Sequence, residues 1–131
     1  MLVFRRLKNA WVFYRGRSHM DPELPVVAQV YWVQPWIFLD GDPKDERPVV
    51  VVAAPMREGE MVTVVERTST RVDLRGVAHP ADSSLELDLP GKWVHRFTRK
   101  VQERHFRPPN VRLVGMLDSP YIDDVMKMWF E

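Results

Sequence analysis

The chain of 131 residues contains no cysteine. Disulfide bridges and thiolate metal sites are thereby excluded, and the absence suits a cytoplasmic protein. Nor does any apolar run approach the roughly 18–20 residues that a membrane-crossing helix requires. The four histidines, His19, His79, His95 and His105, fall at no recognised zinc spacing. A glycine-rich phosphate loop is missing as well, so neither a metal nor a nucleotide cofactor is expected. Acidic residues are absent from positions 1–20, where Arg5, Arg6, Lys8, Arg15 and Arg17 stand; residues 21–131 keep fourteen basic and eighteen acidic residues, a net of −4. The bulk of the chain is therefore no general polyanion binder, and any nucleic-acid contact has to be local.

What is present is a near-average globular composition, 45% apolar and 28% charged, enough to bury one core. Length and texture divide the chain into a basic extension, residues 1–20, and a main domain, residues 21–131. Within the extension, Phe4, Leu7, Trp11 and Tyr14 recur at helical spacing among the basic residues. That spacing predicts a basic amphipathic helix suited to a membrane surface or an acidic partner. The plainer alternatives are a disordered segment ahead of a start at Met20, or a vector-derived leader.

The main domain reads as mainly β. Val26 to Val33 is β-rich and ends at Pro35; Val49 to Ala54 is an apolar run fit for a buried central strand. Met61 to Val65 follows a short turn around Gly59 and completes an antiparallel hairpin. Thr68 to Asp82 is a polar excursion. Leu85, Leu87 and Leu89 alternate with acids, the pattern of a half-buried strand. Trp93 to Val101 fits helix or strand equally. Val111 to Leu117 is a strand, and Asp118-Ser119-Pro120 starts a closing helix with Ile122, Val125, Met126 and Trp129 on its apolar face.

Four short motifs follow this order: Ala28-Gln29-Val30-Tyr31-Trp32-Val33, Arg47-Pro48 ahead of an apolar strand, Thr68-Ser69, and Val114-Gly115-Met116-Leu117-Asp118. Together, from about Val27 to Trp129, they resemble the MazF/PemK toxin family. The resemblance implies an SH3-like, CcdB/MazF-type β-barrel with a C-terminal helix, usually a homodimer. It further implies a metal-independent endoribonuclease acting on single-stranded RNA and neutralised by an antitoxin peptide. Arg47 matches the family's catalytic arginine and Thr68 its catalytic hydroxyl residue. Cleavage without a metal uses the neighbouring 2′-hydroxyl as nucleophile, so charge develops on phosphorus. A guanidinium suits that charge because its planar fork matches phosphate oxygens, and Ser69 or Thr70 would add a second donor. The plainer readings are an Arg47 ion pair with Asp45 or Glu46, and a Thr68 that bonds its own turn.

Further substrate contacts are expected from Trp36, Phe38 and Lys44 in the loop before Arg47, and from Arg96, Arg99 and Lys100. These last three lie in a basic and aromatic segment, Lys92 to Arg107, of a kind that grips phosphates and stacks on bases. The loop departs from the family's glycine-rich form: Asp40, Asp42, Asp45 and Glu46 outnumber Lys44 and would repel a phosphate backbone. That departure favours a second class of function, a catalytically silent barrel that binds and inhibits a host protein. The closing Met126-Lys127-Met128-Trp129-Phe130-Glu131 is similar to the tail of the CcdB gyrase poisons, which makes gyrase one such target.

Overall fold

The computed structural model describes residues 5–7, 10–12, 24–34, 37–38, 46–57 and 59–130. Two short strands stand in the basic extension: β1 (Arg5–Leu7) and β2 (Ala10–Val12), paired antiparallel with Arg6 opposite Trp11. The expectation of a helix there is thus corrected: the stretches described between residues 5 and 12 are strands. The apolar residues at helical spacing lie among bulky and β-branched neighbours, which suit extended backbone at least as well.

Among the described residues, the main domain holds a six-stranded antiparallel sheet, curled into a half-barrel, with one α-helix near its end. Its strands are β3 (Gln29–Val33), β4 (Arg47–Ala53), β5 (Met61–Thr68), β6 (Val77–His79), β7 (Gly91–Gln102) and β8 (Val111–Met116). The spatial order is β6-β7-β5-β4-β3-β8. The apolar run after Arg47 lies inside the sheet, as its lack of alternation requires, and Val49, Val50, Val51 and Val52 are all buried. No helix among the described residues is long and apolar enough to cross a membrane.

Because both faces are covered, alternate residues of one strand enter two different cores. On one face Val30, Val50, Val52, Val65 and Trp93 pack under helix α1 (Tyr121–Trp129) through Ile122 and Val125. On the other, Tyr31, Val33, Val49, Val51, Val62, Val64 and Val101 pack with Ile37, Phe38 and Phe106. The helix complements its own dipole, with Asp123 and Asp124 in its first turn and Lys127 in its last. Its start has no side-chain cap; the Ile122 N–H donates to the Asp118 carbonyl instead. Met128 joins the buried stripe, while Met126 and Trp129 are only partly covered.

Two sequence readings resolve differently from their patterns. Leu85, Leu87 and Leu89 do not form a strand. Asp82 caps a 3₁₀ turn at Ser83–Leu85, accepting from the Ser84 N–H, and Glu86 takes a left-handed backbone (φ 58°). The turn still buries Leu85 and Leu87, is closed on itself by the Asp82–Leu87 bridge, meets β3 where Trp32 Nε1 donates to the Leu85 carbonyl, and leaves Leu89 exposed. Trp93 to Val101 is strand, and its apparent helical period has a definite origin. Val65 pairs with Thr98 and Arg67 with Trp93, so β7 carries three residues more than β5 between these pairs. An odd surplus reverses the face a strand presents. Trp93 therefore enters one core and Val101 the other.

Candidate functional site

Arg47 is the first residue of β4 and Thr68 the last of β5, and these strands are antiparallel neighbours. The two residues thus stand at the same end of the sheet. They also share a face. Val49 pairs with Glu66, and residues two apart on a strand point the same way, so Arg47 shares the face of Val49 and Thr68 that of Glu66.

Glu66 organises this face. Its side chain is 5% exposed, yet Arg99 Nε donates to its Oε2 at 2.8 Å and Arg47 Nη1 lies 3.8 Å from its Oε1. The two arginine side chains reach solvent, at 43% and 29% exposure. Arg99 arrives there because it pairs with Val64, which puts it on Glu66's side of the sheet. Its guanidinium carbon also sits 5.5 Å from the Phe38 ring centroid, within cation–π range. A buried carboxylate beneath two part-exposed guanidiniums is suited to holding them at fixed spacing toward an anion.

The other expected residues distribute unevenly. Thr68 Oγ1 accepts from the N–H groups of Thr70 (3.2 Å) and Arg71 (3.1 Å), closing a turn in which Ser69 and Thr70 are exposed. Phe38 is 3% exposed, its ring engaged with Arg99 and the core rather than open to a base. Lys100 is exposed but pairs with Thr63, on the face opposite to Glu66. Arg96 is exposed within the surplus residues of β7, which lie across from Glu66. Trp36 and Lys44 lie outside the described residues, as do Asp45 and the rest of the acidic loop up to Glu46. Glu46 itself pairs with Arg112 at 3.2 Å.

Sequence reading missed Glu66, having ended its strand at Val65. The available signal was Glu66-Arg67 directly after Val64-Val65: with both sheet faces apolar, a strand extended by two residues must direct one charge into each core. Arg67 fills the second of these positions. It is buried and donates from Nε to His79 Nδ1 (3.3 Å) and from Nη2 to the carbonyls of His79, Pro80 and Leu89. The guanidinium carbon lies 5.8 Å from the Trp93 ring centroid. With Nδ1 accepting, the His79 proton belongs on Nε2, facing Asp82 Oδ2 at 3.8 Å.

Burial pushes the His79 pKa below its ordinary 6.5 and the Arg67 charge adds to this; Asp82 and Asp118 oppose it. The unfolded chain therefore takes up a proton before the folded one does. Stability from neutral His79 is complete above about pH 6.5 and falls as pH drops through the lower folded value. Protonation would also cost the Arg67 hydrogen bond, since an imidazolium has no acceptor. Denaturant midpoints between pH 7.5 and 5 should decline on the acid side, and His79→Gln should flatten that decline. An unchanged slope in the variant would assign the acid sensitivity to other groups.

Compared with known proteins, the chain matches no family model and no curated protein. Its functional reading accordingly rests on the geometry of this face and on the motif order set out above.

Proposed function

We propose that this protein is a MazF/PemK-like toxin that cleaves single-stranded RNA without a metal. The observation that carries the reading is the shared end and shared face of Arg47 and Thr68 on adjacent antiparallel strands. The six curled strands and the helix packed on one face are compatible with an SH3-like, CcdB/MazF-type barrel. On this reading the protein works in the cytoplasm as a homodimer and is held in check by an antitoxin peptide.

The chemistry follows from the two side chains. The substrate's 2′-oxygen attacks the adjacent phosphorus, the bond to the 5′-oxygen breaks, and the products end in a 2′,3′-cyclic phosphate and a 5′-hydroxyl. Arg47, always charged, would stabilise the extra negative charge on the five-coordinate phosphorus. The Thr68 oxygen is committed as an acceptor to two turn N–H groups, so what it has to offer a substrate is its own proton, for which the Thr70 hydroxyl at 3.4 Å is the competing acceptor. That proton would donate to a phosphate oxygen and hold the scissile group in line.

Incubation with an unstructured RNA in chelator tests the reading. Wild type should cut, Arg47→Ala should lose about 10²–10³ in rate, the range for one preorganised donor at a developing charge, and Thr68→Ala should also be impaired. Intact RNA with wild type, or undiminished cutting by Arg47→Ala, would defeat it. The second reading is a silent barrel that binds and inhibits a host protein. It is favoured by the engagement of Thr68 Oγ1 within its own turn. Growth inhibition that persists in both variants would support it.

A further inference from the structure

We infer that Glu66 is a positioning residue that yokes Arg47 and Arg99 into one two-guanidinium clamp on the RNA backbone, with Arg99 as the second phosphate contact. The inference rests on the endoribonuclease reading and deepens it, since neither Arg99's partnership with Arg47 nor any role for Glu66 follows from the motifs.

Three observations converge. First, one buried carboxylate meets both arginines from β5, between the strands that carry them: Oε2 toward Arg99, Oε1 toward Arg47. A carboxylate at 5% exposure cannot itself reach far into solvent, whereas the guanidiniums above it do. Its contribution is then to hold their orientation, which is what a charge-assisted pair with Arg does well. Second, the register separates the basic residues of β7 by face. Arg99 pairs with Val64 and shares the face of Glu66, while Lys100 pairs with Thr63 and points the other way. Third, the Phe38 ring supports the Arg99 guanidinium from the core side, which limits the orientations its fork can take. A phosphodiester chain crossing this end of the sheet would meet Arg47 on β4 and Arg99 on β7, with Thr68 at the tip of the strand between them.

The test measures binding of a fluorescent single-stranded RNA by anisotropy over a salt series in chelator, together with cleavage rates. For single strands each phosphate contact contributes about 0.7 to the slope of log affinity against log salt. Arg99→Gln should shallow that slope by about 0.7 and lower kcat/KM at least tenfold. Arg57→Gln, at the opposite end of β5 in the turn before Met61, should change neither. Glu66→Gln keeps both cations but frees them, so kcat should fall about tenfold while RNA affinity is not weakened. Stoichiometric titration of RNA-binding sites on the same preparation separates this from a loss of folded protein, which would lower the titrated site concentration by the same factor as the rate. Combined with Arg99→Gln, the Glu66 substitution should add less than its full tenfold loss, because one of the two arginines it holds is gone.

An unchanged salt slope in Arg99→Gln overturns the inference while leaving the nuclease reading in place, provided Arg47→Ala is inactive. Full multiplication of the Glu66 and Arg99 effects likewise removes the yoke. Should Glu66→Gln not fold, Arg99→Gln decides alone, since its partly exposed side chain can be replaced without emptying a core. Failure of wild type to bind or cut RNA overturns both the inference and the reading beneath it.

Discussion

Replacing Arg67 by methionine should lower the unfolding free energy by about 3 kcal/mol. Methionine matches much of the volume, so the loss comes chiefly from hydrogen bonding and not from a cavity. Removing the guanidinium strips a donor from His79 Nδ1 and from three carbonyls, those of His79, Pro80 and Leu89. Each buried acceptor left without a donor costs about 1–3 kcal/mol. Two terms hold the total down. Some of those carbonyls regain water in the variant, and removing a charge from a buried site relieves its desolvation, the same burial that lowers the Arg67 pKa. Arg67→Lys provides the comparison, because it keeps the charge but lacks the planar fork that reaches all four acceptors. Lysine at this position should recover less than half of the loss in denaturant midpoint. If Arg67→Met unfolds within about 1 kcal/mol of wild type, the network is decorative.

Trp93→Ala should be costlier still, at about 3–5 kcal/mol, the usual range for emptying a buried aromatic site. Trp93 is fully buried and lies where β7 meets both β5 and β6, opposite Arg67 and Val77. Its ring faces His79 at 5.8 Å between centroids and takes the Arg67 guanidinium at the same distance. Truncation would remove the apolar wall of the first core and the surface on which the Arg67–His79 pair rests. Trp93→Phe should cost far less. The indole Nε1 has no hydrogen-bond partner among the described residues, so phenylalanine gives up volume but also removes an unsatisfied donor, worth about 1–3 kcal/mol in the opposite sense. Thermal and denaturant unfolding of the two variants give the comparison directly. Equal losses would mean that the nitrogen, not the ring, is what the site requires.

Much of the architecture was legible one segment at a time. Val49 to Val52 announced an interior strand because four consecutive apolar side chains can be buried only if both sheet faces are covered. The hairpin from β4 to β5 and the closing helix followed from turn residues and from the 3.6-residue period. Patterns failed where one local device changed the count. The Asp82 cap and the left-handed Glu86 turned an alternating leucine series into a 3₁₀ turn. Three surplus residues in β7 made a strand imitate helical spacing. The candidate site was legible to the same degree: Arg47 and Thr68 could be named from motifs, whereas Glu66 could not, since its meaning depends on which strands flank it.

By itself, then, the sequence determined a mainly β domain without disulfides, its central valine strand, its final helix, and the residue types able to engage a phosphate. Those are local matters, decided by side-chain size, backbone preference and spacing along the chain. Tertiary structure alone decided which charges meet. Residues 47, 66 and 99 come together through strand order and register, and a register displaced by one residue would send each side chain to the other face. The same rule carried Arg67 away from its neighbour Glu66 and into a separate core, where it holds a histidine rather than facing solvent.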